Sequence, residues 1–268
     1  GLILSSWGGT WIESWMHKDW LTNFPEIKIP HSTDDIKVPN RTATTLFNGM
    51  INPIKGYSIR GGIMYQGESN YDRPKQYPAL FKTFVQKLRE VWQQGEFPFF
   101  YCQIAPYNNP PEAHGDFNAA FLREAQYKVS KEITNSGMVV LMDVGEEMCI
   151  HPSDKRTGGE RLGLMALGKV YGQKGFAYES PELDGFEVKG NIATLSFANA
   201  PMWLTSYGKD MKNFEVAGAD KVFYPAKAKF NRSKVEVWSD QVNEPVAVRY
   251  GFKDFVEAEL FSTEGVPV

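Results

Sequence analysis

Short apolar segments that alternate with amphipathic helical patterns constrain the fold of this chain more than any other feature. The pattern predicts strands at residues 1–6, 59–66, 97–104 and 138–143, each apolar along most of its length. Strands of this kind are typical of a parallel sheet that is covered by helices on both faces. The first two-thirds of the chain is therefore predicted to be an α/β domain, in which ligands bind outside the carboxyl ends of the strands.

The predicted helices lie between these strands. Two of them cover residues 117–133 and 157–171. The third predicted helix, at residues 77–92, has the clearest pattern. Its apolar residues recur with the i, i+3, i+4, i+7 spacing of a helix that packs one face against a core. These residues are Tyr77, Leu80, Phe81, Phe84, Val85, Leu88, Val91 and Trp92.

The pattern changes near residue 175. Beyond it, short strand-like runs are separated by clusters of Gly, Pro, Asn and Ser, and two of the runs flank a Gly190-Asn191 turn. This spacing is typical of antiparallel strands joined by tight turns. We therefore predict an α/β domain of residues 1–174, followed by an antiparallel β-rich region of residues 175–268.

Charge and hydropathy exclude two classes of partner. The chain carries 29 Lys and Arg against 32 Asp and Glu, so its formal net charge is −3. A nucleic-acid-binding surface needs an excess of cations, so no nucleic acid partner is expected. The mean hydropathy is −0.38, and no apolar run approaches the roughly 18 residues that a membrane-spanning helix requires. No membrane partner is expected either.

Histidine is the side chain best suited to act as a general base near neutral pH. The chain has four: His17, His31, His114 and His151. His151 is the best placed, because it follows the strand that ends at Asp143 and shares a loop with Glu146 and Glu147, whose carboxylates would stabilise an imidazolium. A surface histidine beside local acids explains this segment equally well. The other three lie in polar stretches and are predicted to be surface residues.

Two strand-to-helix turns offer donors for an anion. Gly8 and Gly9 follow the first predicted strand and would leave backbone N–H groups open to an oxyanion. Gln66 ends the second strand, just before a glycine and Glu68, and its side-chain amide could donate to a developing oxyanion. Ordinary turn chemistry accounts for both segments as well.

Serines and metal ligands give weaker signals. Ser5 and Ser6 suggest a nucleophile, although the pattern is not Gly-x-Ser-x-Gly. No Cys or His spacing is typical of zinc, and no glycine-rich loop with lysine is typical of phosphate binding. A metal site built from Asp143, His151 and the two loop glutamates is a weaker hypothesis, because three of the four ligands share one loop. We expect no metal and no cofactor.

Three ordered blocks of sequence stand out, namely GLILSSWGGTWIESW (1–15), LFNGMINPIKGYSIRGGIMYQGESN (46–70), and DVG followed by IHPSDK and RLGLMALGKVYG (143–172). Together with FEVAGADKVFYPAKAKF and PVAVRYGF in the last third, they resemble the sialate O-acetylesterases. These are carbohydrate esterases of the SGNH-hydrolase superfamily, and acetylxylan esterases share their domain. The resemblance implies a three-layer, flavodoxin-like α/β domain with a smaller C-terminal β-rich portion.

The resemblance also implies a reaction, the removal of O-acetyl groups from sialic acid by a serine nucleophile and a histidine base. His151 corresponds to the base. Gln66, in the Gln-Gly-Glu block that includes Glu68, corresponds to a side-chain oxyanion donor, and Gly8 with Gly9 corresponds to a backbone donor. Many relatives have an aspartate where this chain has Cys149, so the third member of the triad is open: Asp143 first, then Glu146 or Glu147, or a backbone carbonyl that leaves a dyad.

The nucleophile of the family lies in a Gly-Gln-Ser-Asn segment upstream of the Ser-Ser-Trp-Gly-Gly block, and the 268 residues contain no such segment. Since the first residue is Gly1 and not Met, we expect the nucleophile on an upstream segment of the same protein and the isolated chain to be inactive. The expected partners are an O-acetylated sugar and that upstream segment. Bacterial family members are commonly exported, which implies a secreted or periplasmic protein. An acetylxylan esterase and a noncatalytic carbohydrate-binding protein are the alternatives.

Overall fold

The computed structural model describes residues 1–109 and 119–268. These residues form two compact units, one of residues 1–104 and 119–138 and one of residues 105–109 and 139–268. The described helices are α1 (Tyr77–Trp92), α2 (Ala119–Ser130) and α3 (Arg156–Lys169). In the part of the chain that the structure describes, no helix is long and apolar enough to cross a membrane.

The strands of the described chain are β1 (Gly62–Tyr65), β2 (Phe99–Cys102), β3 (Ser136–Val139), β4 (Glu182–Lys189), β5 (Ile192–Ala198), β6 (Leu204–Thr205), β7 (Phe214–Ala217), β8 (Phe223–Pro225), β9 (Lys227–Asn231), β10 (Lys234–Trp238), β11 (Ala247–Tyr250) and β12 (Phe261–Ser262). Short 3-10 helices cover Ile12–Trp15, Lys18–Trp20, Pro39–Arg41, Asn52–Ile54 and Glu68–Asn70, and a π-helix covers Phe47–Ile51.

The first unit is built on a sheet of strand order β1-β2-β3. Strands β1 and β2 are parallel, with Gly62 opposite Phe99 and Tyr65 opposite Cys102. All four residues of β2 are buried, as expected for a central strand that is covered on both faces. The predicted α/β class, with parallel strands followed by an antiparallel β-rich portion, is confirmed.

Helix α1 supplies the apolar face that its sequence predicts. Leu80 and Val85 are fully buried. The ring of Phe81 lies 4.6 Å from the ring of Tyr101 on β2 and 6.1 Å from that of Phe99, measured between centroids. Aromatic rings of this size bury about 150–250 Å² each, so these contacts dominate the packing of the helix on the sheet.

The prediction of a buried strand at residues 1–6 is wrong. These residues form no strand among the described residues, and the side chains of Leu2 and Leu4 are 96% and 87% exposed. A strand needs a hydrogen-bonding neighbour for its N–H and C=O groups, and an apolar run does not show whether one is present. The strand predicted at 138–143 is shifted: β3 ends at Val139, although Val140, Leu141 and Met142 are buried.

The second unit contains α3 and the antiparallel sheets. One sheet has the order β4-β5-β10-β9, a second has β11-β7-β8, and a third pairs β12 with β6. The predicted turn at Gly190 joins β4 to β5, and Gly190 has the positive φ of 60° that such a tight turn requires. Val216, Val235 and Leu260 lie in the core of this unit and are fully buried. A domain boundary at residue 175 stays a prediction.

Candidate active-site elements

The loop at Gly8 and Gly9 in the first unit is clamped from one side by Asn40. The side-chain amide nitrogen of Asn40 donates to the carbonyl oxygens of Gly8 and Gly9, each at 3.1 Å. The backbone carbonyl of Asn40 accepts from the Trp11 N–H at 3.1 Å and from the Ser14 hydroxyl at 2.9 Å. One residue therefore fixes both the loop and the 3-10 helix that follows it.

This clamp determines where the N–H groups of the loop point. In a trans peptide the N–H is antiparallel to the preceding carbonyl, and the described chain has no cis peptide. Because the carbonyls of Gly8 and Gly9 are directed to Asn40, the N–H groups of Gly9 and Thr10 lie on the opposite side. Among the described residues neither N–H has a hydrogen-bond acceptor. Gly9 has φ of 65°, the left-handed conformation that glycine adopts without strain.

The Gln66 side chain is the centre of a buried hydrogen-bond network. It is 8% exposed. Its amide nitrogen donates to the Thr10 carbonyl at 2.9 Å and to the Asn70 side-chain oxygen at 2.7 Å, and its amide oxygen accepts from the Tyr77 hydroxyl at 2.9 Å. Both N–H bonds of Gln66 thus have acceptors in this arrangement, so an oxyanion at Gln66 would have to displace one of them. Burial raises the pKa of Tyr77 well above its ordinary value, which keeps its hydroxyl a donor.

Asn70 extends this network to a buried charge. It is fully buried, and its side-chain oxygen also accepts from the Ile12 N–H at 3.0 Å. Its amide nitrogen donates to the Glu13 carboxylate at 3.1 Å. Glu13 is 2% exposed and pairs with Arg73, whose guanidinium also lies 4.7 Å from the centre of the Trp11 ring. A buried carboxylate is stable only when it is paired and hydrogen-bonded, and both conditions are met here.

The two predicted oxyanion segments of the first unit are therefore brought together. The hydrogen bond from Gln66 to the Thr10 carbonyl joins them, and a Cβ on Gly9 would lie 4.0 Å from the Ser69 hydroxyl. Glu68 is half-buried in the 3-10 helix Glu68–Asn70. A side chain at Gly67 would meet Ile104 at 2.7 Å, and φ there is 153°, so this turn requires glycine.

In the second unit, Asp143 makes a two-point ion pair. Its two carboxylate oxygens accept from the guanidinium of Arg161 at 2.7 and 2.6 Å, and Arg161 also donates to the Val140 carbonyl at 2.8 Å. Arg161 lies on α3, so the ion pair joins this helix to the segment after β3. Two parallel hydrogen bonds to a carboxylate are the geometry that arginine favours.

His151 lies on the surface loop between Asp143 and α3. Its side chain is exposed, and within the described chain no carboxylate accepts a hydrogen bond from its ring. Its backbone carbonyl accepts from the Cys149 thiol at 3.3 Å. Glu146 accepts from the Ser153 N–H at 2.6 Å. Hydrogen bonding to the Ser153 side chain, and then to its backbone N–H, lowers the pKa of the Glu146 carboxyl. The structure does not bring Asp143, Glu146 or Glu147 into a hydrogen bond with the imidazole.

The remaining candidates of the sequence are spread over the chain. The Ser5 hydroxyl oxygen is buried and has no hydrogen-bond partner in the described residues, whereas Ser6 is exposed. His17 accepts from the Asp19 N–H at 3.3 Å, and its ring lies 5.3 Å from that of Phe47. His31 is exposed, and His114 lies outside the described residues. No group of three His, Cys, Asp or Glu side chains within 1–109 and 119–268 is arranged to hold a metal ion.

Sequence reasoning missed the residues that hold the candidates in place: Asn40, Asn70, Glu13 and Arg161. Glu13 carries a signal, because it is an acid in a short helical turn that begins with Ile12 and ends with Trp15. A charge in such a position indicates a buried partner. Asn40 and Arg161 carry no comparable signal, since their partners are 31 and 18 residues away along the chain.

Comparisons with known proteins show which family this chain is similar to. A family model described as carbohydrate esterase, sialic acid-specific acetylesterase, matches residues 1–166. The human sialate O-acetylesterase is 29% identical over 235 residues, which are 81% of this chain and 44% of the relative. The mouse sialate O-acetylesterase is 27% identical over 222 residues, covering 68% of this chain and 41% of the relative.

A solved structure is also similar. The crystal structure of a carbohydrate acetylesterase from Xanthomonas citri is 32% identical and has a TM-score of 0.85. The match covers 98% of this chain and 59% of that chain. The chain thus spans less than half the length of the curated relatives described here and about three-fifths of the solved one.

Proposed function

Because the chain belongs to the sialic acid-specific acetylesterase family of carbohydrate esterases, we propose that it removes O-acetyl groups from sialic acid by acyl transfer to a serine. The curated relatives are named sialate O-acetylesterases, and the solved relative is a carbohydrate acetylesterase. The observation that carries the proposal is the Gly8-Gly9 loop, in which the N–H groups of Gly9 and Thr10 have no acceptor among the described residues.

In this mechanism the loop stabilises the oxyanion. When the nucleophile attacks the acetyl carbonyl, negative charge develops on its oxygen. Donors that are already oriented stabilise that charge without a reorganisation cost, and removal of one such donor typically slows turnover about 10²–10³-fold. The clamp of Asn40 on the carbonyls of Gly8 and Gly9 supplies this orientation. Gln66 can donate to the oxyanion only if it breaks one of its two hydrogen bonds, either to the Thr10 carbonyl or to the Asn70 side chain.

His151 is the proposed base. It takes the proton of the serine hydroxyl during attack and returns it to the leaving sugar hydroxyl, and water then releases acetate from the acetyl-enzyme by the same route. Asp143 is the first candidate to orient His151. A carboxylate has about four lone-pair sites, so Asp143 retains acceptor capacity beside its two bonds to Arg161.

The nucleophile is proposed to lie outside these 268 residues, on another segment of the same protein. The 268 residues contain no Gly-Gln-Ser-Asn segment. Ser6 is exposed and adjoins the Gly8-Gly9 loop, so it is the competing nucleophile within the chain.

A second candidate function is carbohydrate binding without hydrolysis. Two observations favour it: the N–H bonds of Gln66 both have protein acceptors, and no carboxylate of the described chain orients His151. A binding protein of this kind would retain affinity for the acetylated sugar in its full-length form and would produce no acetate.

The decisive experiment compares the 268-residue chain with a version extended upstream to include the Gly-Gln-Ser-Asn segment, on p-nitrophenyl acetate. The proposal predicts turnover by the longer protein only. Turnover by the 268-residue chain that is abolished by Ser6→Ala and retained by Ser233→Ala, a control in an exposed turn, would make Ser6 the nucleophile. A longer protein that binds the sugar but releases no acetate supports the second candidate.

A further inference from the structure

A two-stranded ribbon in the second unit presents aromatic side chains to solvent. Strands β6 and β12 pair with Leu204 opposite Ser262, and both of these residues are buried. Because successive side chains of a strand point to opposite faces, the preceding residues Trp203 and Phe261 lie on the outer face. The Trp203 carbonyl accepts from the Thr263 N–H at 3.1 Å, so the pairing of the two segments extends to Trp203.

Tyr207 adds a second exposed ring to this outer face. Trp203 is 50% exposed and Tyr207 is 59% exposed. The ring of Tyr207 lies 5.4 Å from that of Phe261, measured between centroids. Tyr207 has φ of 50°, a conformation that bulky side chains rarely adopt and that is concentrated at functional sites. Exposed aromatic side chains that lie together indicate an interaction surface.

A cavity of about 180 Å³ adjoins the ribbon. Gly265 lines this cavity, and a Cβ there would lie 3.7 Å from the Tyr207 hydroxyl oxygen. The turn that carries Glu264 and Gly265 is fixed by Ser262, whose N–H donates to the Val266 carbonyl at 2.8 Å and whose hydroxyl accepts from the Val266 N–H at 3.3 Å. The cavity also has apolar and hydroxyl-bearing walls, which include Leu164, Tyr178 and Ser180.

Charge restricts the ligands that suit this cavity. Arg161 is the only cation among the described lining residues, and both carboxylate oxygens of Asp143 accept from its guanidinium. Glu264 also lines the cavity, is exposed, and belongs to no ion pair in the part of the chain that the structure describes. A carboxylate in this position repels anions and accepts hydrogen bonds from hydroxyl groups. Nucleotides and acidic sugars are therefore disfavoured, since their negative charge requires a cation.

A neutral sugar ring suits both the exposed rings and the carboxylate. Its C–H faces are apolar and pack on the rings of Trp203 and Tyr207, whereas the hydroxyl groups at its edge can donate to Glu264. We propose that Trp203, Tyr207 and Glu264 form a binding site for the neutral sugar residues of a glycan chain. This site holds the glycan without reacting with it, and it does not depend on the proposed acyl transfer.

The test is calorimetry on the 268-residue chain at neutral pH. The neutral probes are lactose, cellobiose, xylotriose and maltotriose, and the anionic probe is trigalacturonic acid. We expect at least one neutral probe to bind and the anionic probe to bind more weakly. Trp203→Ala and Tyr207→Ala should each weaken the binding about tenfold, as expected for the loss of one stacked ring. Glu264→Gln should reduce the preference for the neutral probe. The matched control Tyr171→Ala removes a ring that is 60% exposed in the same unit and does not line the cavity, so it should leave the dissociation constant unchanged.

Three results would overturn the inference: binding of no neutral probe, equal binding of the anionic probe, or unchanged dissociation constants in both alanine variants. Light scattering examines a second copy of the chain as the other occupant, and a dimer that Trp203→Ala dissociates would also overturn it. In the longer protein, Trp203→Ala should leave kcat on p-nitrophenyl acetate unchanged, whereas loss of that activity would place Trp203 in the reaction and contradict the proposal. Sugar binding through Trp203 by a longer protein that releases no acetate would support this site and contradict the esterase function.

Discussion

Replacement of Asn70 by alanine tests the buried network that joins the two oxyanion segments. The side chain of Asn70 is fully buried and makes three hydrogen bonds. It accepts from the Ile12 N–H and from the Gln66 amide, and it donates to Glu13. Alanine removes all three bonds at once, without a charge change and without a larger side chain.

The structure sets the size of the effect. Asn70→Ala leaves two buried donors without acceptors, the Ile12 N–H and one N–H of Gln66, and each such group costs about 1–3 kcal/mol. Glu13 loses a donor as well but keeps Arg73. We expect the free energy of unfolding to fall by about 4 kcal/mol in total, a large part of the roughly 5–15 kcal/mol that stabilises a typical domain.

The assay is urea unfolding followed by tryptophan fluorescence, since five of the seven tryptophans lie in the first unit. The control is Asn48→Ala, an exposed asparagine of the same unit, which should change the free energy of unfolding by no more than about 0.5 kcal/mol. A loss below about 1 kcal/mol for Asn70→Ala would show that the network does not hold the two segments together, and the account of Gln66 as its centre would be wrong.

Three further predictions concern the second unit and the thiols. Arg161→Gln breaks the partly buried two-point ion pair with Asp143 and should lower the free energy of unfolding by about 1–3 kcal/mol in a urea titration. The control Arg156→Gln breaks the exposed ion pair with Glu160 on the same helix and should lower it by less than about 0.5 kcal/mol. Burial raises the pKa of Tyr250 to about 12, whereas the phenol of the unfolded chain titrates near pH 10 and loses its proton first. The thermal midpoint should therefore fall as the pH rises from about 9 to 12. Tyr250→Phe should make this fall shallower, and an unchanged slope would contradict the assignment. Ellman's reagent should label one thiol in the native protein, the exposed Cys149, and a second only after denaturation exposes Cys102; two fast thiols in the native state would refute the burial of the β2 cysteine.

The elements that the sequence predicts well are those with a strong local pattern. The apolar spacing from Tyr77 to Trp92 coincides with α1, and the predicted turn at Gly190-Asn191 joins β4 to β5. The run at residues 1–6 has the composition of a strand but forms none in the structure. Apolar composition reports burial preference, whereas a strand also requires a hydrogen-bonding neighbour, which is a property of the whole fold.

The candidate site likewise contains residues with a local sequence signal and residues whose partners are set by tertiary contacts. The position of Gln66 at the end of β1 could be predicted from the apolar run before it and the glycine after it, whereas Gly8 and Gly9 form a turn that no strand precedes. The acceptors that occupy Gln66, the Thr10 carbonyl and Asn70, are set by tertiary contacts across 56 residues and across one helical turn. The partner of Asp143 could not be predicted either, since nothing local distinguishes Arg161 from the other cations of its helix.

The proposed function assigns the role of general base to His151. The most direct test is the kcat/KM of the longer protein on an O-acetylated sialoside, compared between wild type and His151→Gln, with His31→Gln as an exposed-histidine control. Loss of a general base lowers the rate typically about 10²–10⁴-fold. The account predicts a loss in this range for His151→Gln and an unchanged value for His31→Gln; a His151→Gln protein that keeps kcat/KM within about twofold of wild type would contradict it.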